Sequence, residues 1–399
     1  MIRKNIIVIS DSFFPNNSSV SVQIYDLACQ FFSNGYNVYL ILPSHLIKEN
    51  YLIKKYKDIN LIYLKTFNIK NRNYFLRALS EFMMPFCMIK NFKKQYIGLE
   101  DLHGIVCYSP SIFFGIFTKY LKKIYTSKSY LIIRDLFPQW AADIDLISSK
   151  SLIFKFFKLI DNYQLSNADF IGIQSIGNIN FFKQNLINKI EVLPNWLNSE
   201  IKSYPQSKSF LNKINFKYKT IITYTGNIGI AQGFEVFFDV IKSLKLRKDI
   251  LFIIVGKGNN FNDIKNQIKT NNIQNVLIFD EVSPNDLFYI YNKTDIGLVS
   301  LDTRHKTHNI PGKFINYLKH SLPVFINCNP GNDLIKLVNH NSLGFAMSSN
   351  NPLEIRKKFL AFLLRINKDK NIKNRCRKFF NDNYRTEIIC KQILSKLDD

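Results

Sequence analysis

Short apolar runs alternate with longer amphipathic segments along nearly the whole chain of 399 residues. The first such cycle comprises IIVIS at 6–10, a helix predicted over 20–34 that ends at Gly35, and NVYLIL at 37–42. Such alternation is typical of a parallel sheet covered by helices. It predicts an α/β fold with doubly wound sheets, in which ligands bind beyond the carboxyl ends of the strands.

The alternation is interrupted once, by a polar stretch at 198–218, and starts again with TIITYTG at 220–226. With 46% hydrophobic residues, the chain can build two cores of ordinary size. We therefore predict an N-terminal domain over 1–200 and a second domain over 201–375. The remaining segment, 376–399, is expected to be a helix that packs back on the N-terminal domain.

Basic residues outnumber acidic ones by 54 to 30, which gives a net charge of +24. This excess predicts an anionic partner, and nucleic acid, an acidic membrane and a phosphorylated substrate all fit. The sequence lacks the signatures of helix-turn-helix and RNP modules, so we expect no nucleic-acid partner. A membrane surface or a phosphorylated substrate is favoured.

Six cysteines are scattered without a Cys-x-x-Cys pair, which argues against a structural zinc site or a disulfide scaffold and suits reduced cytosolic thiols. The apolar run after Met1 is too short for a signal-peptide core. No run approaches the roughly 20 apolar residues that cross a bilayer. The predicted location is cytoplasmic, peripheral on the inner face of the cytoplasmic membrane.

An aromatic and Met-rich stretch at 72–96 is flanked by basic residues. Glu81 and Pro85 make it unsuitable as a spanning helix, but it could lie at an anionic membrane surface. A kinked helix buried in its domain is the equal alternative.

Two glycines, Gly226 and Gly229, stand where a strand turns toward a helix, so backbone N–H groups there can approach phosphate. A plain strand-helix turn explains them equally well. Lys313 follows Pro311-Gly312 at a probable helix start, where an ammonium and the positive end of a helix meet. Gly256-x-Gly258 is too short to indicate a dinucleotide cofactor, but it places Gly258 near a nucleoside.

Six longer segments carry a resemblance to a known family. They are YTGNIGIAQGFE (224–235), NIPGKFINYLKHSLPV (309–324) and NPGNDL (329–334), with SDSFFP (10–15), LIIRDLFPQW (131–140) and VLPNW (192–196) in the first half. These segments resemble glycosyltransferase family 4, and most closely its bacterial O-antigen and capsule branch with N-acetyl-L-fucosamine transferases. The resemblance implies a GT-B fold, in which two Rossmann-like domains face a central cleft. It also implies a UDP-sugar donor, retention of anomeric configuration, a polyprenyl-diphosphate-linked saccharide acceptor, and no metal or other cofactor.

The donor segments depart from the family where it carries charge. Many relatives have Arg and Lys at the positions of Asn227 and Gln232, so the diphosphate charge here falls to Lys313, with Arg304 as a further candidate. His308 and Asn316 stand where the family places two Glu residues, and both can still hydrogen-bond a donor. The segments also assign Pro311, Gly312, Gly331 and Asn332 to the donor site.

In the first half, Arg134 occupies the position of a family His and precedes Asp135. Arg134 could stabilise the leaving diphosphate or a sugar hydroxyl, and Asp135 could accept a hydrogen bond from the acceptor. An ion pair at a strand end is the alternative. Together with His308, these two residues are the predicted catalytic groups.

The predicted activity is transfer of a sugar, such as an N-acetylated deoxyhexosamine, to a lipid-linked saccharide in O-antigen or capsule biosynthesis. A UDP-sugar epimerase on the same fold is the alternative, but it requires acidic and basic groups for proton transfer, and His308 is the one His at a position that the family uses to contact the donor. A basic scaffold protein that binds anionic lipid has no use for the donor segments.

Overall fold

The computed structural model describes residues 3–14, 18–68, 74–93, 102–109, 111–201 and 220–399. Two compact units make up the chain. Unit 1 contains Met1–Asn198 together with Arg385–Asp399, and unit 2 contains Ser199–Tyr384. Most of the polar stretch expected to link the domains falls outside the described residues.

Unit 1 is built on a sheet whose described strands follow the order β3-β4-β2-β1-β5-β6-β7-β8. All neighbours pair in parallel except β3 and β4, which form an antiparallel hairpin at the edge. The strands are β1 (Asn5–Ile9), β2 (Asn37–Ser44), β3 (Tyr51–Tyr56), β4 (Ile59–Lys65), β5 (Leu102–Ser109), β6 (Ser129–Ile133), β7 (Phe170–Ile173) and β8 (Ile190–Val192). The helices are α1 (Ser19–Ser33), α2 (Tyr74–Asn91), α3 (Gly115–Tyr125), α4 (Gln139–Asp143), α5 (Leu152–Asn167) and a last helix, Thr386–Asp398.

Both faces of this sheet are covered. Ile6 and Val8 of β1 belong to a core cluster on the side of α1 and the last helix. Ile7 and Ile9 point to the opposite cluster, which includes residues of α2 and α3. Because successive side chains of a strand alternate between faces, a strand buried on both sides must be apolar throughout, as IIVI is.

Unit 2 contains a parallel sheet in the order β11-β10-β9-β12-β13-β14. The strands are β9 (Thr220–Thr225), β10 (Ile250–Val255), β11 (Val276–Phe279), β12 (Ile296–Ser300), β13 (Val324–Asn327) and β14 (Gly344–Met347). Its helices are α6 (Phe234–Ser243), α7 (Phe261–Thr270), α8 (Pro284–Lys293), α9 (Gly312–Lys319), α10 (Asp333–His340), α11 (Pro352–Ile366) and α12 (Ile372–Asn383), and the last helix of unit 1 is α13. The prediction of an α/β fold with two doubly wound sheets is confirmed.

Three elements differ from the sequence-based expectation. The hairpin of β3 and β4 was not predicted, because β3 is an exposed edge strand and lacks a continuous apolar run. The segment 353–382, which the sequence pattern predicts as one helix, forms two helices, α11 and α12. Strand β14 was also not predicted; it has four residues, too few for a clear periodic signal.

The segment that returns to unit 1 begins at Arg385 and not at residue 376. Cys376 and Phe380 of α12 are buried, and α12 packs on α9 within unit 2. The ring of Tyr384 also lies 6.2 Å from that of Phe314. The expected boundary at 375 therefore falls within α12, whose apolar face packs in unit 2.

Helix α13 completes the core of unit 1. Ile389, Ile393 and Leu397 lie in the same cluster as residues of α1 and β1. A backbone bridge between Leu197 and Arg385 holds the start of the returning segment. The last turns of the chain are thus required to cover one face of the first sheet.

Replacing Ile393, which is fully buried, should destabilise unit 1. We expect Ile393→Ala to lower the free energy of unfolding by about 2–5 kcal/mol, because it removes buried methyl groups and leaves a cavity. Both tryptophans, Trp140 and Trp196, belong to unit 1, so urea unfolding followed by tryptophan fluorescence measures this unit. The exposed Lys391 of the same helix supplies the control, Lys391→Ala, which should leave the transition almost unmoved.

Candidate functional site

The candidate site of unit 2 lies where the order of its strands reverses. From β9 the chain proceeds outward through β10 to β11 and then crosses to β12 on the other side of β9. Loops that leave the carboxyl ends of β9 and β12 diverge there and open a crevice, which is the usual ligand position in such sheets. The segments predicted to bind a donor follow these two strands and β13.

Glycines let the loops after β9 and β10 touch through their backbones. A Cβ on Gly256, whose φ is +153°, would collide with the carbonyl oxygen of Gly226. A Cβ on Gly258, with φ +151°, would meet the carbonyl oxygen of Ile228. No side chain fits at either position, so these glycines fix the turn that follows β9.

The backbone N–H groups of this turn that were predicted to contact phosphate donate to other groups of the protein. The N–H groups of Gly226 and Ile228 donate to the carbonyl oxygens of Val255 and Lys257, each at 2.9 Å. The N–H of Gly229 donates to Oε1 of Gln232 at 3.1 Å. In this arrangement these three donors are not available to a phosphate, so the glycines act by allowing close packing.

Asn227 and Gln232 bind each other across the turn. Nδ2 of Asn227 donates to Oε1 of Gln232 at 2.9 Å, and the Tyr224 hydroxyl donates to the carbonyl oxygen of Asn227 at 2.6 Å. A neutral amide pair therefore rigidifies the turn. The counter-charge for the predicted diphosphate would come from another residue.

Lys313 is placed to supply that charge. Helix α9 begins at Gly312 after the N-cap Pro311, and the Lys313 side chain reaches back over β9. Its Nζ lies 3.6 Å from the centroid of the Tyr224 ring, and its Cε lies beside Gly226. Nζ is buried, and no described residue forms a hydrogen bond with it.

This environment is costly for an ammonium ion. Burial lowers the pKa of Lys313 from 10.5 to about 7, and the face of Tyr224 offsets part of that cost by a cation–π attraction. A buried, unpaired cation is normally compensated by an anion. The geometry therefore suits an anionic ligand that contacts Nζ beside Gly226 and the start of α9, where the helix dipole adds positive potential.

Asn316 contacts a tyrosine network beneath the turn. Its Nδ2 donates to the Tyr291 hydroxyl at 3.0 Å, and that hydroxyl lies 3.1 Å from Oγ1 of Thr225. The Tyr317 hydroxyl accepts from the N–H of Thr225 at 2.9 Å and donates to the carbonyl oxygen of Thr223 at 3.0 Å. One function of Asn316 is thus to bind the end of β9 through Tyr291.

His308 lies at the N-terminus of α10. Its Nδ1 accepts from the backbone N–H of Asp333 at 3.2 Å, and the same atom lies 3.3 Å from Oδ2 of Asp333. Asn332 caps the same helix, since its side chain accepts from the N–H of Leu334 at 3.0 Å. Gly331 precedes the cap with φ +75°. The structure therefore brings His308 together with Gly331 and Asn332 at the N-terminus of α10.

Arg304 is paired within its own loop. Its Nη2 lies 2.7 Å from Oδ2 of Asp302, and its Nε contacts both carboxylate oxygens. Although burial raises the pKa of Asp302, the hydrogen bonds from Arg304 outweigh it and hold that pKa below its usual value. The two side chains line a cavity of about 200 Å³ with Glu235, Asn327 and Asn350. Arg304 is already neutralised and is a weaker diphosphate candidate than Lys313.

The predicted groups of the first half lie in unit 1, at the end of β6. Nη1 of Arg134 donates to the carbonyl oxygen of Leu193 at 3.1 Å, and its guanidinium lies 4.4 Å from the Trp196 ring centroid. Burial lowers the pKa of Arg134. Asp135 is exposed. Arg134 thus packs the segment after β8 against the sheet, and its catalytic role stays a prediction.

Sequence analysis did not find the aromatic partners of the site. Tyr224, Tyr291 and Tyr317 support Lys313, Asn316 and the end of β9, but nothing in their spacing marks them as more than core residues. The position of Tyr224 two residues before the glycine turn is the one local signal. Within the described ranges, no three His, Cys, Asp or Glu side chains are grouped to hold a metal ion, and independence from metal stays a prediction.

Comparison with known proteins finds a family match in the second half of the chain. Residues 207–379 match the family described as Glycosyl transferases group 1. Probable glycosyltransferase WbjE from Pseudomonas aeruginosa is 19% identical over 234 residues, which cover 58% of this chain and 58% of WbjE. The chain therefore spans less than two thirds of the length of this relative. The family match indicates a transferase, as predicted.

Solved structures share the architecture. Sucrose-phosphate synthase from Thermosynechococcus elongatus aligns with a TM-score of 0.76 and 13% identity, over 98% of this chain and 97% of its own. HepE from Anabaena, solved with UDP and glucose, aligns with a TM-score of 0.70 and 12% identity over the full length of both chains. These likenesses confirm the predicted GT-B fold. In the part of the chain that the structure describes, no helix is long and apolar enough to cross a membrane.

If Lys313 is buried without a counter-ion, removing its charge should stabilise the unliganded protein. The unfolded chain binds this proton up to a pH of about 10, whereas the folded protein releases it at about 7, so wild-type stability rises with pH across that window. Lys313→Met should add about 2 kcal/mol or more below pH 7, and the gain should shrink toward pH 10. Urea unfolding followed by circular dichroism at several pH values measures it; a difference that does not vary with pH would contradict this burial.

Proposed function

We propose that the protein is a retaining glycosyltransferase that transfers a sugar from a UDP-sugar to a polyprenyl-diphosphate-linked saccharide. The observation that carries the donor half of this proposal is the buried, unpaired ammonium of Lys313 beside Gly226. A nucleoside diphosphate supplies the negative charge that this ammonium lacks. The similar fold of HepE, which was solved with UDP and glucose, supports the same donor class.

The proposed chemistry uses the charge that develops on the leaving diphosphate. As the anomeric bond breaks, negative charge accumulates on the departing phosphate oxygens. An ammonium held over Tyr224 and the start of α9 stabilises that charge without having to reorganise. Because the site is partly dry, the same contact is worth more than it would be in water.

Neutral groups accompany this cation in the proposed site. Asn316 offers its amide oxygen to the nucleoside while its nitrogen binds Tyr291, and His308 offers Nε2–H to a sugar hydroxyl. We propose that these two residues replace the family's carboxylates as hydrogen-bonding groups. We propose that Arg134 contacts the leaving diphosphate or a sugar hydroxyl and that Asp135 accepts a hydrogen bond from the acceptor.

The finer assignments rest on the sequence resemblance. We propose an N-acetylated deoxyhexosamine such as N-acetyl-L-fucosamine as the transferred sugar and O-antigen or capsule synthesis as the setting. A lipid-linked acceptor places the reaction at the inner face of the cytoplasmic membrane. No metal ion or cofactor enters the proposed mechanism.

The reaction class is tested by incubating the purified protein with labelled UDP-sugars, with and without a lipid-linked saccharide. A transferase should move label to the lipid fraction and release UDP when the acceptor is present. An epimerase, the alternative, should change the sugar of the donor without any acceptor. Sugar conversion of that kind, with no label in the lipid, would contradict transfer.

Binding of UDP should be coupled to protonation of Lys313. In the unliganded protein, burial gives Lys313 a pKa of about 7, and an anion bound at Nζ raises this pKa. At a pH of about 8, binding of UDP should therefore be accompanied by uptake of a proton. Calorimetry in buffers of different ionisation enthalpy should detect an uptake approaching one proton, since the phosphates of UDP are already ionised there. The affinity for UDP should fall as pH rises above 7.

Two variants test whether Lys313 is the group that takes up this proton. Lys313→Met should abolish the uptake and weaken UDP binding by about 1.5–3 kcal/mol, the range for a charge-assisted hydrogen bond. Lys257 lies on the neighbouring loop but is exposed and paired with Glu281 at 2.7 Å, so Lys257→Met is the matched control and should bind UDP like the wild type. Unchanged affinity and proton uptake in Lys313→Met would remove Lys313 from the site.

A further inference from the structure

Helix α5 of unit 1 is apolar on its outer face as well as on its inner one. Phe157, Ile160 and Leu165 pack into the core beneath the sheet. On the opposite side, Leu152 is 81% exposed and Leu159 is 69% exposed. A cluster of exposed large apolar side chains marks an interaction site, so the outer face of α5 calls for a partner.

The exposed face extends onto α2. The rings of Phe82 in α2 and Phe156 in α5 lie 5.8 Å apart, as do those of Phe82 and Phe86, which connects the two helices. We define the α2–α5 surface by its exposed apolar residues, which are Leu79, Phe86, Leu152, Ile153, Phe156 and Leu159. The sequence pattern predicts a membrane contact in the region of α2 but not in α5, which supplies most of this surface.

The charges around the α2–α5 surface are basic. Lys90 and Lys155 are exposed on α2 and α5, and Nζ of Lys119 lies 5.4 Å from the centroid of the Tyr163 ring at the end of α5. The acidic groups of the two helices are engaged internally, since Glu81 binds Arg77 at 2.9 Å and Asp161 binds Lys158 at 2.8 Å. The surface therefore presents apolar side chains with a cationic border.

We infer that the α2–α5 surface docks on an anionic lipid bilayer. Leucine and phenylalanine side chains enter the interface between headgroups and acyl chains, and the lysines contact lipid phosphates. A second copy of the chain fits less well, because a two-fold contact through this surface would bring like charges together. Docking here would hold unit 1 against the membrane that carries a lipid-linked acceptor.

The inference rests on the proposed function for its purpose, but it is tested without donor or acceptor. The protein is sedimented with vesicles of phosphatidylcholine alone or with about 30% phosphatidylglycerol. Wild type should bind the anionic vesicles, bind neutral ones at least about tenfold less, and be released by salt. The double variant Leu152→Asp and Leu159→Asp should lower binding to anionic vesicles by at least about tenfold.

A matched control comes from α11 of unit 2. Leu353 and Leu364 are 71% and 72% exposed, and like Leu152 and Leu159 they lie in the first turn and the later part of a helix. Leu353→Asp with Leu364→Asp makes the same change in charge and apolarity and should bind vesicles like the wild type. Circular dichroism and calorimetric affinity for UDP should be unchanged in both variants, which separates failure of the donor site from failure of docking.

Three outcomes would overturn the inference. The first is wild-type protein that does not sediment with anionic vesicles, and the second is an α5 variant that binds them as the wild type does. The third is a dimer, detected by analytical ultracentrifugation, that the α5 variant converts to a monomer, with no vesicle binding by either. That result would assign the α2–α5 surface to a contact between copies of the chain.

Discussion

The backbone contact between the loops after β9 and β10 is the constraint on which the candidate site depends. Gly256 and Gly258 leave no room for a side chain, so the turn at 226–229 is pressed against the neighbouring loop. This contact uses the turn's own N–H groups and leaves the end of β9 open on the side of α9. The ammonium of Lys313 occupies that side, over Tyr224.

Positive charge beside the turn is consequently concentrated at Lys313. Asn227 and Gln232 hold each other by a hydrogen bond, and Arg304 is neutralised by Asp302. A single buried ammonium with a pKa near 7 is sensitive to what binds beside it, whereas a cluster of exposed cations would be screened by solvent. In the proposed donor site, neutral amides at 227 and 232 leave the ligand charge to Lys313, and this would couple binding to protonation.

The two units present different kinds of surface to a ligand or partner. In unit 2, polar groups converge at the carboxyl edge of the sheet, where a small anion can be held by a few contacts. In unit 1, the α2–α5 surface is broad and apolar with lysines at its border, which suits an extended partner. The net charge of +24 is compatible with both an anionic ligand and an anionic surface, and so could not by itself distinguish them.

The sequence alone determined the alternation of apolar and amphipathic segments, and with it the two doubly wound sheets, because the periodicity of burial is local. It also located the loops at 226–229 and 309–316, since glycines and a helix start are local signals. Tertiary structure decided the rest: that the glycine N–H groups are already bonded, that Arg304 is paired, that Tyr224 lies under Lys313, that the returning segment begins at Arg385, and that α5 exposes its leucines. Each of these depends on which distant segment covers a given atom, and burial by a distant segment leaves no periodic mark in the chain.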